Sequence, residues 1–445
     1  MTYYTNILFS HKELLDEKFL QTDLGELYQS IPFDELAKQI PLPAYSISGK
    51  GRKPWFDVKG GIALQVLKSY LQTSDAMVIE RVNTDWSMQL FCGISLKPSE
   101  RILDLDLPSK WRGYIGKHLN IDTMQESLAH FWKPYMEETN IGMQDATCYE
   151  SRIAYPTDIK LLWKSCEQVY QMLQEVRKKN GLRKSRSKFG KRKAEYIGFQ
   201  KMRKKSKGKE RTMRKKLLKF LLRLLTLLEQ QPSALSLKKA GKLSTIIKVY
   251  EQQHHRAYGN PDEPIKDRIV SLSKPYIRPI IRGKEVKPVE FGAKVNKLQI
   301  DGISFIEHIS FDAFNECTHY KEGIYLQRKL FGKCSHQSAD AIYATNENRS
   351  YATGQGIYTN FVPKGRQKVH EMEQTKLLRK ELDKERGTVL EGSFGNEKNH
   401  YHLQKINARN KHTEICWIFF GILTANASII AQRIQSQKQQ LARAA

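Results

Sequence analysis

One segment of this chain is too highly charged to enter a hydrophobic core, and it therefore divides the sequence around it. Between Arg177 and Lys219, 43 residues include 21 Lys and Arg side chains against two Glu. A run of like charge repels itself and stays in solvent, either as a partly disordered arm or as a surface that binds an anion. The strongly apolar stretch that follows, at 216–235, must bury one face. Residues 165–262 are therefore predicted to form a basic helical insertion.

The charge of the whole chain narrows the class of partner. A formal net charge of +27 over 445 residues favours DNA, RNA or an anionic membrane surface. The longest apolar stretch, at 415–430, is interrupted by Thr424, Asn426 and Ser428 and is shorter than the about 20 residues that a spanning helix needs. It is predicted to be a buried core helix. No secretory signal is evident, and six scattered cysteines without a CxxC pair fit a reducing compartment, so a cytoplasmic location is expected.

Outside the insertion, the spacing of apolar residues indicates helices in the first part of the chain and alternating strands and helices in the rest. Residues 1–125 are predicted to form a helical domain, because the apolar residues at 60–72 share one helical face and Ser74 or Asp75 can cap the next helix. Its basic loop at 48–55 suits either DNA contact or dimerisation. Residues 135–164 and 263–434 alternate strands with helices, which predicts an α/β core with a mixed sheet flanked by helices. Strands are expected at 341–345 and 356–362, a hairpin turn at Asp301-Gly302, and a flexible tail at 435–445.

Three acidic residues have local contexts that suit placed carboxylates. Asp145 follows a short apolar run in "IGMQDATCYES", Asp340 ends "KCSHQSAD", and Glu391 opens the helical "EGSFGNEKNHYHLQKI". Two aspartates from strand ends and a glutamate from a helix would form an oxygen cage of the kind that Mg²⁺ prefers. Two such ions about 3.5–4 Å apart would stabilise both oxygens of a phosphoryl transfer. Spacing alone does not establish the site, because the chain has 47 acidic residues and most acids are solvated or cap helices.

Longer stretches around these acids resemble a known family. "ADAIYATNENRSYATGQGI", "EGSFGNEKNHYHLQKINARNKHTE" and "RPIIRGKEVKPVEFGAKV" together are similar to the DDE transposases of bacterial insertion sequences, and the resemblance runs from about residue 5 to residue 432. It includes "DWSMQLFCGI", which resembles the helical domain that precedes the catalytic core in one large group.

The resemblance implies a ribonuclease H-like core in which Asp145, Asp340 and Glu391 are the catalytic acids and the ligands of two Mg²⁺ or Mn²⁺ ions. It implies cleavage of double-stranded DNA at terminal inverted repeats, followed by transfer of the 3′-OH ends to target DNA. A homodimer in the DNA complex and a nucleoid-associated bacterial location are expected with it.

Basic residues near these acids and in the basic run are the candidate DNA contacts. The family carries a Lys seven residues after the Glu, and Lys398 matches this position, although a surface lysine would fit it equally well. The family's Arg precedes the Glu by four residues, whereas Arg386 precedes Glu391 by five. Glu397 lacks the "EGxFG" context and suits the third acid less well. Aromatic residues are few in the basic run, which favours backbone contact over base stacking. Its DNA-binding candidates are Arg183, Lys184, Arg186, Lys191, Arg192, Lys193, Arg203, Lys204 and Lys205.

Two further functions stay open at this point. A nuclease with the same core would cleave DNA without joining the ends. A DNA-binding protein derived from a transposase would perform no chemistry. Recombination through a covalent tyrosine is disfavoured, because none of the 20 tyrosines sits in a recognisable Arg/His/Tyr constellation.

Overall fold

A computed structural model describes residues 11–43, 54–232, 235–260, 263–281, 288–365 and 369–444. Most of the basic loop expected at 48–55 lies outside these residues. The chain forms two compact units. The core unit comprises residues 1–151, 293–310 and 314–445, and the insertion unit comprises residues 152–292 and 311–313.

The described part of the core unit begins with short helices, as predicted for residues 1–125. Capping side chains set their starts, since Thr22, Asp57, Ser74, Asp85 and Asn120 each accept a hydrogen bond from a backbone N–H of the first turn. The helix containing the predicted apolar face is almost wholly buried. The helices are α1 (His11–Leu20), α2 (Asp23–Gln29), α3 (Phe33–Lys38), α4 (Val58–Leu71), α5 (Asp75–Val82), α6 (Trp86–Phe91), α7 (Leu107–His118) and α8 (Ile121–Trp132).

Among the described residues of the insertion unit, four helices surround an apolar core of their own. Leucines and β-branched residues of three of the helices meet in this core, among them Leu162, Leu221 and Ile246, all without solvent exposure. Thr157 caps the first helix by accepting a hydrogen bond from the Lys160 N–H. The basic run is therefore carried by an ordered helical framework. The helices are α9 (Asp158–Lys179), α10 (Phe189–Lys201), α11 (Lys207–Glu229) and α12 (Leu237–Tyr258).

A mixed sheet forms the centre of the core unit, which confirms the α/β class at the level of mixed helix and sheet. Its hydrogen-bonded path runs β4-β3-β1-β5-β6, and β7 also pairs with β1. β5 and β7 are parallel to β1, β6 is parallel to β5, and β3 and β4 are antiparallel. β2 pairs with the first residues of β3 inside the insertion unit. The strands are β1 (Ile141–Ser151), β2 (Pro279–Ile281), β3 (Val289–Ile300), β4 (Ile303–Ser310), β5 (His336–Ala339), β6 (Tyr358–Thr359) and β7 (Lys405–Ile406).

The turn between β3 and β4 forms where the sequence predicts it. Asp301 and Gly302 have φ angles of 49° and 76°, the left-handed region that a tight hairpin turn requires. Ile300 and Ile303 form the register pair that closes the hairpin. The strand predicted at 341–345 is wrong, because Ala341–Tyr343 is a 3-10 turn and the strand lies just before it. The Asp340 side chain accepts the Ala341 N–H and so begins this turn instead of extending the strand.

Helices cover the sheet after β4, and the last of them is the buried apolar helix predicted from the sequence. Its apolar window is long enough to cross a membrane, but 83% of that window is buried inside the protein. The helix also includes residues 435–444, where a flexible tail was expected. The helices are α13 (Tyr320–Phe331), α14 (Asn346–Gly354), α15 (Val369–Glu385), α16 (Glu391–His400) and α17 (Lys411–Ala444).

Candidate active site

The two predicted aspartates each come directly after the last paired residues of two neighbouring parallel strands. β1 and β5 are in register from Ile141 opposite His336 to Gln144 opposite Ala339, so Asp145 and Asp340 occupy the next position on each chain. Paired strands lie about 4.8 Å apart. Asp340 follows the last residue of β5, as predicted, whereas Asp145 lies inside β1 and not at its end. Strand pairing thus brings together two acids that are distant in sequence.

The third predicted acid, Glu391, is linked to Asp145 by an arginine that contacts both carboxylates. Glu391 is the first residue of α16, and its side chain is 54% exposed. The Nη1 atom of Arg386 lies 3.2 Å from Glu391 Oε1 and 3.6 Å from Asp145 Oδ2. One guanidinium therefore contacts both carboxylates, so Asp145 and Glu391 face the same small region.

Helix α16 continues along one face of β1. Alternate residues of a strand point to the same face, so Asp145, Thr147 and Tyr149 form one row. Lys398 Nζ donates to Thr147 Oγ1 at 2.8 Å, and the Tyr149 hydroxyl donates to Glu397 Oε2. The structure therefore places Lys398 beside the residue two positions after Asp145 on this row.

A buried ion pair fixes Glu397 behind this row. Glu397 is 1% exposed and Lys297 on β3 is fully buried. Lys297 Nζ donates to Glu397 Oε1 at 2.5 Å and to Ser393 Oγ at 3.0 Å. Because Tyr149 occupies its other oxygen, Glu397 has both carboxylate oxygens engaged inside the protein. Sequence reasoning missed Lys297, although a lysine within the strand pattern "AKVNKLQI" is a signal for a buried partner.

Sequence reasoning also missed a carboxylate close to the aspartates. Glu316 begins the 3-10 turn Glu316–His319 before α13, and its side chain is 16% exposed. It pairs with Lys294 Nζ of β3 at 2.7 Å. Its negative charge contributes more than that of Asp340 to raising the pKa of Asp145. No local pattern in "FNECTHY" marks Glu316, because only the packing of the turn against the sheet brings it near the site.

Burial dominates the electrostatics of Asp145. Removal from solvent, which is the largest cause, and the charges of Glu316 and Asp340 together raise the pKa of its carboxyl from 3.8 to about 6. The Ala146 N–H, which donates at 2.7 Å, and the Arg386 guanidinium act in the opposite direction. A carboxylate in these surroundings stays ionised at neutral pH most readily with additional positive charge beside it.

The donor chemistry suits a hard divalent cation, but the described side chains do not form a ready cage for one. Carboxylate oxygens are the ligands that Mg²⁺ and Mn²⁺ prefer. Within the described ranges, no group of three or more His, Cys, Asp or Glu side chains is arranged so that it could hold a metal ion. Arg386 instead contributes the positive charge between Asp145 and Glu391.

The remaining DNA-binding candidates belong to the insertion unit and occupy α10 and the loops on either side of it. Arg192 is half-buried and pairs with Glu195 at 2.6 Å. The other eight side chains are exposed: Arg183, Lys184, Arg186, Lys191, Lys193, Arg203, Lys204 and Lys205.

Comparisons of the chain with protein-family models, curated proteins and solved structures found no match.

Proposed function

We propose that this protein is a DDE transposase that cleaves the ends of an insertion sequence and transfers the resulting 3′-OH ends to target DNA. The observation that carries the proposal is the convergence of its three acids. Asp145 and Asp340 each follow the last register pair of two parallel strands, and Arg386 contacts both Asp145 and Glu391. Because the charge of Asp340 also acts on Asp145, the three acids lie in one part of the core unit, which supports phosphoryl transfer there.

The topology of the sheet supports a ribonuclease H-like core for this proposal. A long first strand lies between an antiparallel hairpin on one side and two parallel strands on the other. The first acid lies on that central strand, the second follows the neighbouring strand, and the third begins a helix on the β1 face. This is the distribution that the family resemblance implies.

The protein's own residues position the reaction in this proposal. Asp145 and Asp340 offer hard oxygen donors from a rigid sheet, and Glu391 adds a third from α16. Divalent cations, when bound there, would stabilise charge on the attacking and leaving oxygens. Lys398, held near β1 by Thr147, and Arg386 supply positive charge for the DNA phosphates. The same acids serve hydrolysis and strand transfer, and no covalent bond to the protein forms.

One observation favours a second candidate, a DNA-binding protein without chemistry. The described side chains do not form a ready metal cage, and a guanidinium joins two of the acids. A protein that had lost catalysis would keep its basic surface and tolerate such an arrangement. The two candidates differ in whether divalent cations enable cleavage.

The test uses full-length protein and duplex DNA taken from either side of its gene. We expect Mg²⁺ or Mn²⁺ to support cleavage and joining, and EDTA to abolish both. Asp145→Asn, Asp340→Asn and Glu391→Gln should each lower cleavage by at least about 100-fold, since even residues that only support metal ligands cost 10–100-fold. DNA binding should persist. Asp122→Asn and Glu381→Gln, exposed acids on α8 and α15, are the matched controls.

Each result distinguishes the candidates. Cleavage in EDTA, or near-wild-type cleavage by one of the three variants, removes the metal mechanism or that residue. Tight DNA binding without cleavage in either metal identifies a protein without chemistry. Cleaved ends that are never joined identify a nuclease.

A further inference from the structure

The connection between α15 and α16 is a π-helical turn, and Arg386 is its first residue. The turn spans Arg386–Leu390, and the Glu391 N–H donates to the carbonyl oxygen of Arg386. The helical hydrogen bond therefore spans five residues instead of four. Single π turns within helices are rare and occur frequently at functional sites, because they add one residue without ending the helix.

This turn changes which side chains share a helical face. In a regular α-helix, residues four apart lie on one face, whereas residues five apart are separated by about 140° around the axis. The wider π turn instead brings residue i+5 over residue i. Arg386 Nη1 accordingly reaches Glu391 Oε1 at 3.2 Å. The π turn therefore compensates for the five-residue spacing, which is one longer than the spacing in the family that the sequence resembles.

The Arg386 guanidinium is largely buried as well as being in contact with two carboxylates. Its side chain is 18% exposed and that of Asp145 is 16% exposed, so their contact is largely out of solvent. The Arg386 Nε atom is buried and has no hydrogen-bond partner among the described residues. The guanidinium is therefore held between two carboxylates while one of its own donors is unsatisfied, which is a costly arrangement for a purely structural contact.

We propose that Arg386 is a positioning residue that occupies the place of a cation between Asp145 and Glu391, and that a divalent ion must compete with it for these carboxylates. The proposal rests on the proposed function for the identity of the metal-binding acids. It assigns the π turn a specific role, which is to direct the arginine at position −5 into the site. A guanidinium satisfies carboxylates with fixed, planar donors, whereas a divalent ion brings twice the charge.

The competition predicts how metal binding responds to substitution. A divalent ion that enters beside an unmoved Arg386 meets like-charge repulsion at short distance in a partly desolvated site. Removal of the arginine charge should therefore tighten metal binding, although Arg386 belongs to the same site. A purely structural arginine would have the opposite effect, since its loss would loosen the carboxylates.

The test measures Mn²⁺ binding to full-length protein without DNA, from the electron paramagnetic resonance signal of free Mn²⁺, so that no turnover is needed. Arg386→Gln should lower the dissociation constant by about tenfold, and Arg386→Lys, which keeps the charge but loses the planar donors, by less. Lys384→Gln removes an exposed charge on the preceding helix and should leave the constant within about twofold of wild type. Thermal unfolding of each variant establishes that it is folded.

A charge-matched double variant tests the role of the π turn. Arg386→Gln combined with Gly387→Arg moves the arginine to position −4 at constant net charge. Gly387 is exposed with open space around it, so the new side chain fits without collision. With the π turn in place this arginine faces away from the acids, and Mn²⁺ affinity should match that of Arg386→Gln. A return to wild-type affinity would overturn the role of the turn.

Two further outcomes separate this inference from the proposed function. If Asp145→Asn and Glu391→Gln weaken Mn²⁺ binding but Arg386→Gln leaves it unchanged or weaker, competition by Arg386 is wrong and the metal site stands. If Asp145→Asn and Glu391→Gln leave Mn²⁺ binding unchanged, these acids are not metal ligands, and both this inference and the proposed mechanism are overturned.

Discussion

At the scale of single residues, burial disfavours the ionised form of Asp145, whereas the proposed chemistry requires that form. It is largely buried in β1 beside Asp340 and Glu316, and its pKa is raised to about 6 by burial and by these charges. Lys297 and Glu397, by contrast, are buried as an ion pair in which each charge lies against one of opposite sign. Carboxylates with a strongly raised pKa are found most often at functional sites.

The free energy of unfolding of the metal-free protein should show the cost of keeping Asp145 ionised in the folded state. The folded state binds a proton on Asp145 more tightly than the unfolded state, so ionisation destabilises the fold as pH rises from 3.8 to about 6 and the cost is complete above that. This rise corresponds to roughly 3 kcal/mol. In EDTA at pH 7.5, Asp145→Asn should therefore increase the free energy of unfolding by up to about that amount, and by almost nothing at pH 4.

Denaturant titrations at the two pH values provide the measurement. Asp122→Asn, at an exposed position, serves as the control and should change little at either pH. A gain that persists at pH 4, or a loss at pH 7.5, would contradict the assignment of the cost to Asp145 ionisation.

At the scale of elements, an aromatic stack attaches the basic helix α10 to α9. Trp163 and Tyr196 stack with ring centres 4.8 Å apart and planes 13° apart. Tyr170 and Phe189 stack at 4.0 Å and 9°. The few aromatic residues within the basic run therefore pack inside the insertion unit, and the lysines of α10 face solvent.

Removal of Trp163 should release α10 from this framework. Trp163 is 3% exposed, and truncation of a buried tryptophan costs about 3–5 kcal/mol. We expect Trp163→Ala to make residues 183–205 much more sensitive to trypsin under native conditions, with cleavage mapped by mass spectrometry. Tyr325→Ala, at a 68% exposed position on α13, is the control. Unchanged protection of 183–205 would show that the stack does not hold the helix.

At the scale of the whole molecule, charge is distributed very unevenly along the chain. The formal net charge is +27, and a large share of the excess lies within Arg177–Lys219. Because helices carry most of this segment and anchor the loops between them, its exposed cations form an array on an ordered framework. A fixed array contacts successive phosphates without the cost of ordering a flexible chain.

Neutralising part of this array should change how DNA affinity depends on salt. Each phosphate contact contributes about −0.9 to the slope of log K against log salt concentration on duplex DNA. Replacing seven exposed residues with Gln should therefore flatten the slope by about 6 and weaken binding to every sequence alike. Fluorescence anisotropy over a range of salt concentrations measures this, and an unchanged slope would mean that the segment does not contact DNA. The seven are Arg183, Lys184, Arg186, Lys191, Lys193, Arg203 and Lys204.

The sequence by itself determined the helices, caps and turns whose conformation depends on residues near one another in the chain. The helical amino-terminal region, the Ser74 cap, the Asp301-Gly302 turn and the buried helix at 415–430 follow from local pattern. Where two local signals competed, the prediction was wrong, as at residues 341–345, where the Asp340 cap prevailed over strand propensity.

Only the tertiary structure decided which of these residues meet. Pairing of β1 with β5 joins Asp145 to Asp340 across 195 residues, and packing of a short turn adds Glu316. The Lys297–Glu397 pair and the contact of Arg386 with Asp145 also join distant segments of the chain. Local propensity reports the conformation of a segment, whereas the composition of a site depends on which buried faces pack together, and that is a property of the whole folded chain.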